Sequence, residues 1–228
     1  MGLDNWLHWT AWFIKSFLML GISSVLIVVL IKIKWFEGVS VLTFSNWSIL
    51  LVFLLIYTIA SICFCFMMAT FFSSASTAAA VTGLVWFITY LPLSFTVKTY
   101  ETMSLGSKLG WCLISNTAMG FGFKEILGFE GNGEGLQWNN LFKTVSVDSN
   151  LTVGAIMLMM LLSSVIYMLI CLYVEQIMPG DFGVPKKWNF PFTVSYWCGQ
   201  KEYVGIEDMS NGSASKASGF LNSIEPFD

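Results

Sequence analysis

The sequence predicts an all-α membrane protein, a bundle of spanning helices with one pair of short helices that enters the membrane and returns. Three observations carry this reading. Of 228 residues, 56% are hydrophobic and 11% are charged, less than half the roughly 25% charge of a soluble domain. The mean hydropathy is +0.71. The charges are also gathered into few places, leaving gaps that match the ~20 apolar residues a hydrocarbon core requires. All eleven basic residues are Lys and the net charge is -3. No basic stripe exists to displace phosphate counterions, so a nucleic-acid partner is excluded.

The first span follows from the run after Lys15, which carries no charge until Lys32. With Ala11 to Ile14 added, it covers residues 11–31. From Gly38 to Val97 no residue is charged, room for two spans and a tight turn. These are placed at 49–71 and 78–94, with FFSSAST as the turn between them. The fourth span covers 151–174 and ends at Glu175. Trp9, Trp12, Trp35, Trp47, Tyr90 and Tyr173 decorate the span ends, as an interfacial aromatic belt requires. Four spans put both termini on one side.

Lys32, Lys34, Lys98, Lys108, Lys124 and Lys143 fall on the opposite side, which by the positive-inside rule would be cytosolic. The sequons Asn46-Trp47-Ser48 and Asn150-Leu151-Thr152 share that side and argue for the reverse, with Asn150 the candidate glycosylation site. Lysines and sequons therefore leave orientation open.

Between Lys108 and Lys124 lies LGWCLISNTAMGFGF, fifteen apolar residues. It is too short to span and has the length of a re-entrant or interfacial segment. The expected arrangement is a re-entrant helix pair over about 105–129, broken at Gly120 and Gly122, with Lys124 and Glu125 returning the chain to the headgroups. An amphipathic helix lying flat on the bilayer is the alternative. Asn116, Gly120, Gly122, Lys124 and Glu125 are the candidates for shaping an exit path.

Lys15, close to a span start, is read as snorkelling. No Asp or Glu lies inside a span, which weakens proton- and sodium-coupled carriers as a class. Ala75, Ala79 and Gly83, like Ser74, Ala78 and Thr82, have the spacing of a close helix-packing face. Five Cys with His8 as the sole histidine point to neither a metal site nor a disulfide framework. The phosphate-loop pattern G-x-x-x-x-G-K-[ST] occurs nowhere, and no catalytic residue is assigned. The residues themselves leave a stand-alone channel, a scaffold and a piece without independent activity all open.

After the fourth span comes YVEQIMPGDFGVPKKWNFPFTVSYWCG. Pro179, Pro185 and Pro191 forbid a continuous helix, while its aromatics are too many for a disordered tail. This stretch resembles the segment after the last span of a transmembrane half in subfamily A of the ABC transporters. The match runs from Tyr173 to Trp197 and departs at Lys187, where the family commonly has Pro. MGLDNWLHW, FFSSASTAAAVTGLVWFITYLP, MGFGFKEILGFEGNGEGLQWNNLF and the terminal IEPF resemble the same family in the same order.

The resemblance implies an ABC-2-type, type V exporter-like bundle, present in part over residues 1–175, with both termini cytosolic. It implies that residues 176–200 are a stiff coupling strip carried by Glu175, Pro179, Gly180, Pro185, Trp188 and Trp197. Residues 201–228 would then be a flexible linker towards a nucleotide-binding domain. The expected function is part of the membrane domain of an ATP-driven phospholipid or sterol transporter. Its partners would be membrane lipids, nucleotide-binding domains and a second transmembrane half. ATP and Mg²⁺ would belong to the full-length protein, and no cofactor to this chain.

Overall fold

The computed structural model describes residues 5–34, 40–146 and 149–178. The coupling strip, with Pro179, Gly180, Pro185, Trp188 and Trp197, and the linker beyond it lie outside the described residues. Seven helices follow in chain order: α1 (Asn5–Lys32), α2 (Trp47–Ala69), α3 (Ala75–Ile88), α4 (Leu91–Thr96), α5 (Leu105–Trp111), α6 (Ser115–Gly131) and α7 (Val153–Ile177). No strand occurs among the described residues.

Four segments are long and apolar enough to cross a membrane: Leu7–Lys32, Trp47–Ala69, Ala75–Thr96 and Val153–Ile177. The protein is a multi-pass membrane protein. At about 1.5 Å per residue the shortest of these reaches roughly 33 Å, enough for a core of about 30 Å.

Helix α2 is the centre of the bundle, packing against α1, α3, α6 and α7. Its Ile49, Leu50, Phe53 and Leu54 meet Phe121 and Ile126 of α6 and Ile156 and Met160 of α7 in one buried cluster. A smaller cluster at the other end joins Ile62, Phe66 and Cys171 to Trp9, Phe13 and Phe17. Met19 of α1 and Phe87 of α3, each 67% exposed, face outward, where lipid tails are as apolar as the side chains they meet.

Helix starts follow local chemistry. Asn46 accepts from the Ser48 amide at the start of α2, Ser104 from that of Ser107 at α5, and Thr152 from that of Ala155 at α7.

The third crossing is not one helix over 78–94. It is α3 followed by α4, interrupted at Thr89 and Tyr90. Pro92 is the cause: inside a continuous helix its ring would clash with the carbonyl four residues earlier. In the first turn of α4 its missing N–H costs nothing.

The stripe Ala75, Ala79 and Gly83 is exposed, and a Cβ placed on Gly83 would have open space around it. Helix α3 meets α2 instead through Trp86, whose ring lies 5.2 Å from Phe64 and 6.2 Å from Tyr57. Within the described chain this stripe is therefore not a packing face. Lys15 is exposed, with its ammonium 4.8 Å from the Trp12 ring.

Candidate functional site

The segments that sequence reading singled out converge on α6. Asn116, in its first turn, is 4% exposed and fully engaged. Its Oδ1 accepts from the Tyr57 hydroxyl of α2 at 2.7 Å. Its Nδ2 donates to the Trp86 carbonyl at 3.0 Å and to Thr89 Oγ1 at 2.8 Å. The last carbonyls of a helix have no intrahelical partner, and leaving one bare in an apolar layer is costly. Asn116 relieves this at the end of α3 and so ties α2, α3 and α6 together. Tyr57 lies ten residues beyond Trp47 in α2, roughly 15 Å along the helix. The start of α6 therefore lies beside the middle of α2.

Gly120 and Gly122 do not break α6, which is continuous from Ser115 to Gly131. They let it come close. A Cβ on Gly120 would run into the Leu93 side chain of α4, and one on Gly122 into the Phe53 ring of α2. The interruption lies at Cys112 to Ile114, between α5 and α6.

Lys124 and Glu125 do not simply lead back to headgroups. Glu125 is 3% exposed. Its Oε1 accepts from the Tyr100 hydroxyl at 2.5 Å and the Ser149 hydroxyl at 2.9 Å. Two lysines lie over the Tyr100 ring, Lys124 at 3.7 Å and Lys108 at 4.2 Å from its centre, a cation–π arrangement. Lys108 is fully buried and donates to Asn150 Oδ1 at 2.9 Å.

Burial pushes the Tyr100 hydroxyl above the ordinary phenol value, and Glu125 reinforces this, so Tyr100 remains a donor. Burial holds Lys108 below the ordinary lysine value; Glu125 opposes the shift and Lys124 adds to it. The exposed Asn150 is thus already the acceptor of a buried lysine.

Sequence reading missed a second polar arrangement. Glu130, next to last in α6, binds the loop before α2. Its Oε1 accepts from the amides of Thr43 and Phe44 (2.7 Å for Phe44), and its Oε2 from the Ser45 amide at 2.9 Å and hydroxyl at 2.6 Å. Lys32 at the end of α1 donates to carbonyls of the same loop, Leu42 at 2.7 Å, Thr43 at 3.5 Å and Ser45. An anion thus holds the loop's amides and a cation its carbonyls. Residues 135–138 close over it: the Asn46 amide donates to the Leu136 carbonyl, the Leu136 amide donates to the Ser45 hydroxyl, and Trp138 Nε1 donates to Ser48. The available signal was Glu130 itself, since a carboxylate in the last helical turn opposes the helix dipole.

At the opposite end of the bundle, Trp9 Nε1 donates to both oxygens of Glu175, at 3.0 and 3.1 Å. The first described turns of α1 are thus pinned to the end of α7.

Four apolar candidate spans thus surround a polar helix pair whose far end is anchored to the loop before α2. A family model described as ABC-2 family transporter protein matches residues 1–173, and the chain belongs to that family. It is similar to subfamily A members. To the human phospholipid-transporting ATPase ABCA3 it is 43% identical over 217 residues, 95% of this chain and 13% of that protein. To rat ATP-binding cassette sub-family A member 17 it is 38% identical over 190 residues, 82% of this chain and 10% of that protein. To the bovine retinal-specific phospholipid-transporting ATPase ABCA4 it is 37% identical over 198 residues, 87% of this chain and 8% of that protein. The chain spans 13% or less of the length of these three relatives.

Proposed function

We propose that this chain forms part of the lipid path of an ATP-driven phospholipid or sterol transporter. Ser115–Gly131 would shape the outer exit, and residues 176–200 would couple the spans to a nucleotide-binding domain. The observation that carries this is α6. A polar helix start stands about halfway down an uncharged span, held by Asn116, while the far end of the helix is anchored by Glu130. A lipid could keep its tails against the exposed faces of α1 and α3 while its headgroup passes the inserted helix. The relatives ABCA3 and ABCA4 are phospholipid-transporting ATPases, which supports the phospholipid and the ATP of this reading.

In this reading α5 and α6 are re-entrant from the extracellular side and both ends of the chain face the cytosol. Nucleotide and Mg²⁺ would be held by domains outside this sequence, which has no phosphate loop. A second transmembrane half would complete the path.

The test is reconstitution of the full-length protein with fluorescent phospholipid in one leaflet. Transfer that requires ATP and falls with Asn116→Ala, at unchanged nucleotide binding, is the expected result. Ion or solute conduction without ATP, and no lipid transfer, would instead favour a channel and overturn the proposal.

A further inference from the structure

A cleft between α1, α2 and α3, which Met119 of α6 also lines, adjoins the Asn116 arrangement through Tyr57 and Trp86. Its volume is about 340 Å³, within the range of small-molecule sites. Ser23 and Ser24 of α1 line it on one side, Tyr57, Thr58 and Ser61 of α2 on the other, and Trp86 of α3 borders it. Its α2 wall runs from Leu54 to Cys65, roughly 10 to 27 Å from the start of that helix. The cleft therefore lies along the middle of α2, an apolar candidate span, where five hydroxyls divided between two walls require a reason.

Their hydrogen bonds supply it. Ser23 donates to the Met19 carbonyl at 3.2 Å, Thr58 to Leu54 at 3.0 Å and Ser61 to Tyr57 at 2.8 Å. Ser24 reaches the Leu20 carbonyl at 3.0 Å and lies 3.1 Å from Thr58. Tyr57 donates to Asn116. The pairing of Ser24 with Thr58 joins α1 to α2 and accounts for those two. Ser23 and Ser61 bond only their own helices. A hydroxyl whose proton is committed still has lone pairs, so the wall offers acceptors. It carries no charged side chain.

An acyl chain brings no donor to such a wall, and a phosphate headgroup would need cations or donors that it lacks. We propose that the cleft binds one uncharged lipid bearing a hydroxyl donor, its O–H directed to Ser23 or Ser61 and its apolar body lying along Trp86. Sterols and diacylglycerols share this chemistry. The bond from Tyr57 to Asn116 would pass occupancy on to α6. The inference concerns binding alone and does not require transport.

The test uses membranes containing the full-length protein and three photoreactive probes in separate arms: a sterol, a diacylglycerol and a phosphatidylcholine. Saturable crosslinking of residues 54–65 by the sterol or the diacylglycerol is expected, and the arm that labels identifies the source. The free unlabelled lipid should compete, and its O-methyl ether, which has no donor, should not. Ser23→Ala with Ser61→Ala should lower labelling roughly tenfold, the worth of about one hydrogen bond. Cys65→Trp, which fills the cleft from an exposed position, should abolish it. Both variants spare the Ser24–Thr58 pair, so loss of labelling does not report loss of helix packing. The proposal is overturned by equal labelling from phosphatidylcholine, by no labelling from either hydroxyl lipid, or by competition from the methyl ether.

Discussion

Glu130 stands where the dipole of α6 disfavours a carboxylate, so its place depends on the amides and hydroxyl it binds. Burial raises its pKa, yet the Ser45 side chain and the amides of Phe44, Ser45 and Thr43 together hold it below the ordinary carboxylate value. A carboxylate depressed in the folded state stabilises fully above its unfolded value, about 4.3. That contribution is lost as pH falls through the depressed folded value. The anchored loop should therefore loosen on acidification below about pH 4, read as faster proteolysis between residues 40 and 46. Glu130→Gln should weaken the loop at neutral pH by about 1–3 kcal/mol and flatten that acid dependence; an unchanged acid profile would place the titrating group elsewhere. Glycines divide in the same residue-by-residue way. Gly122→Ala should cost several kcal/mol, at the upper end of overpacking effects of about 1–3 kcal/mol, because the new methyl meets Phe53 in the core. Gly83→Ala should be neutral or stabilising by up to about 1 kcal/mol, as Gly to Ala is in an open helix position. Thermal unfolding in detergent compares the two.

At the level of elements, charge spacing made the four crossings legible, because burial in hydrocarbon excludes Lys and Glu wherever they would fall. The ends shifted by a few residues, as from 49–71 to Trp47–Ala69, since apolar composition does not mark a cap. The segment expected to form a short helix pair over about 105–129 holds α5 and α6. What was not legible was where it bends. Gly120 and Gly122 read as breakers in isolation, and their role depends on Leu93 and Phe53, far away in sequence. The loop-end anchor was hidden for the same reason, as Glu130 and Ser45 are 85 residues apart. Asn116 was singled out without its partners; only the fold brings Tyr57, Trp86 and Thr89 to it. The small-residue stripe of α3 had the right spacing but faces away from its own bundle. Gly83→Leu should therefore leave the folding of this chain unchanged in detergent, by thermal unfolding and by monodispersity. A loss of folded yield would return the stripe to the internal packing of α3.

For the whole molecule, the two ends of the bundle are fixed differently. The loop end is closed by Glu130 and Lys32, whereas the other end is held by Trp9 on Glu175 and by Trp9 against Phe66, ring centres 5.0 Å apart. Glu175 is the last acidic residue before the Pro- and aromatic-rich strip. If that strip transmits force, the force reaches α7 at Glu175 and passes through Trp9 into α1. Trp9→Phe keeps the ring and removes the N–H, a loss of about 1.5–3 kcal/mol for a hydrogen bond to a charged group. A flexible Gly-Ser segment inserted after Pro185 interrupts the Pro-rich sequence between Pro179 and Pro191 with a flexible linker. In the full-length protein, the insertion should leave ATP binding intact while lipid transfer falls sharply. Trp9→Phe should give a smaller loss in the same direction, because it weakens the junction without disconnecting it. Nucleotide binding and lipid transfer measured on the same preparations separate coupling from folding. Undiminished transfer with the insertion would mean that residues 176–200 carry no force, and that the spans respond to nucleotide through another contact.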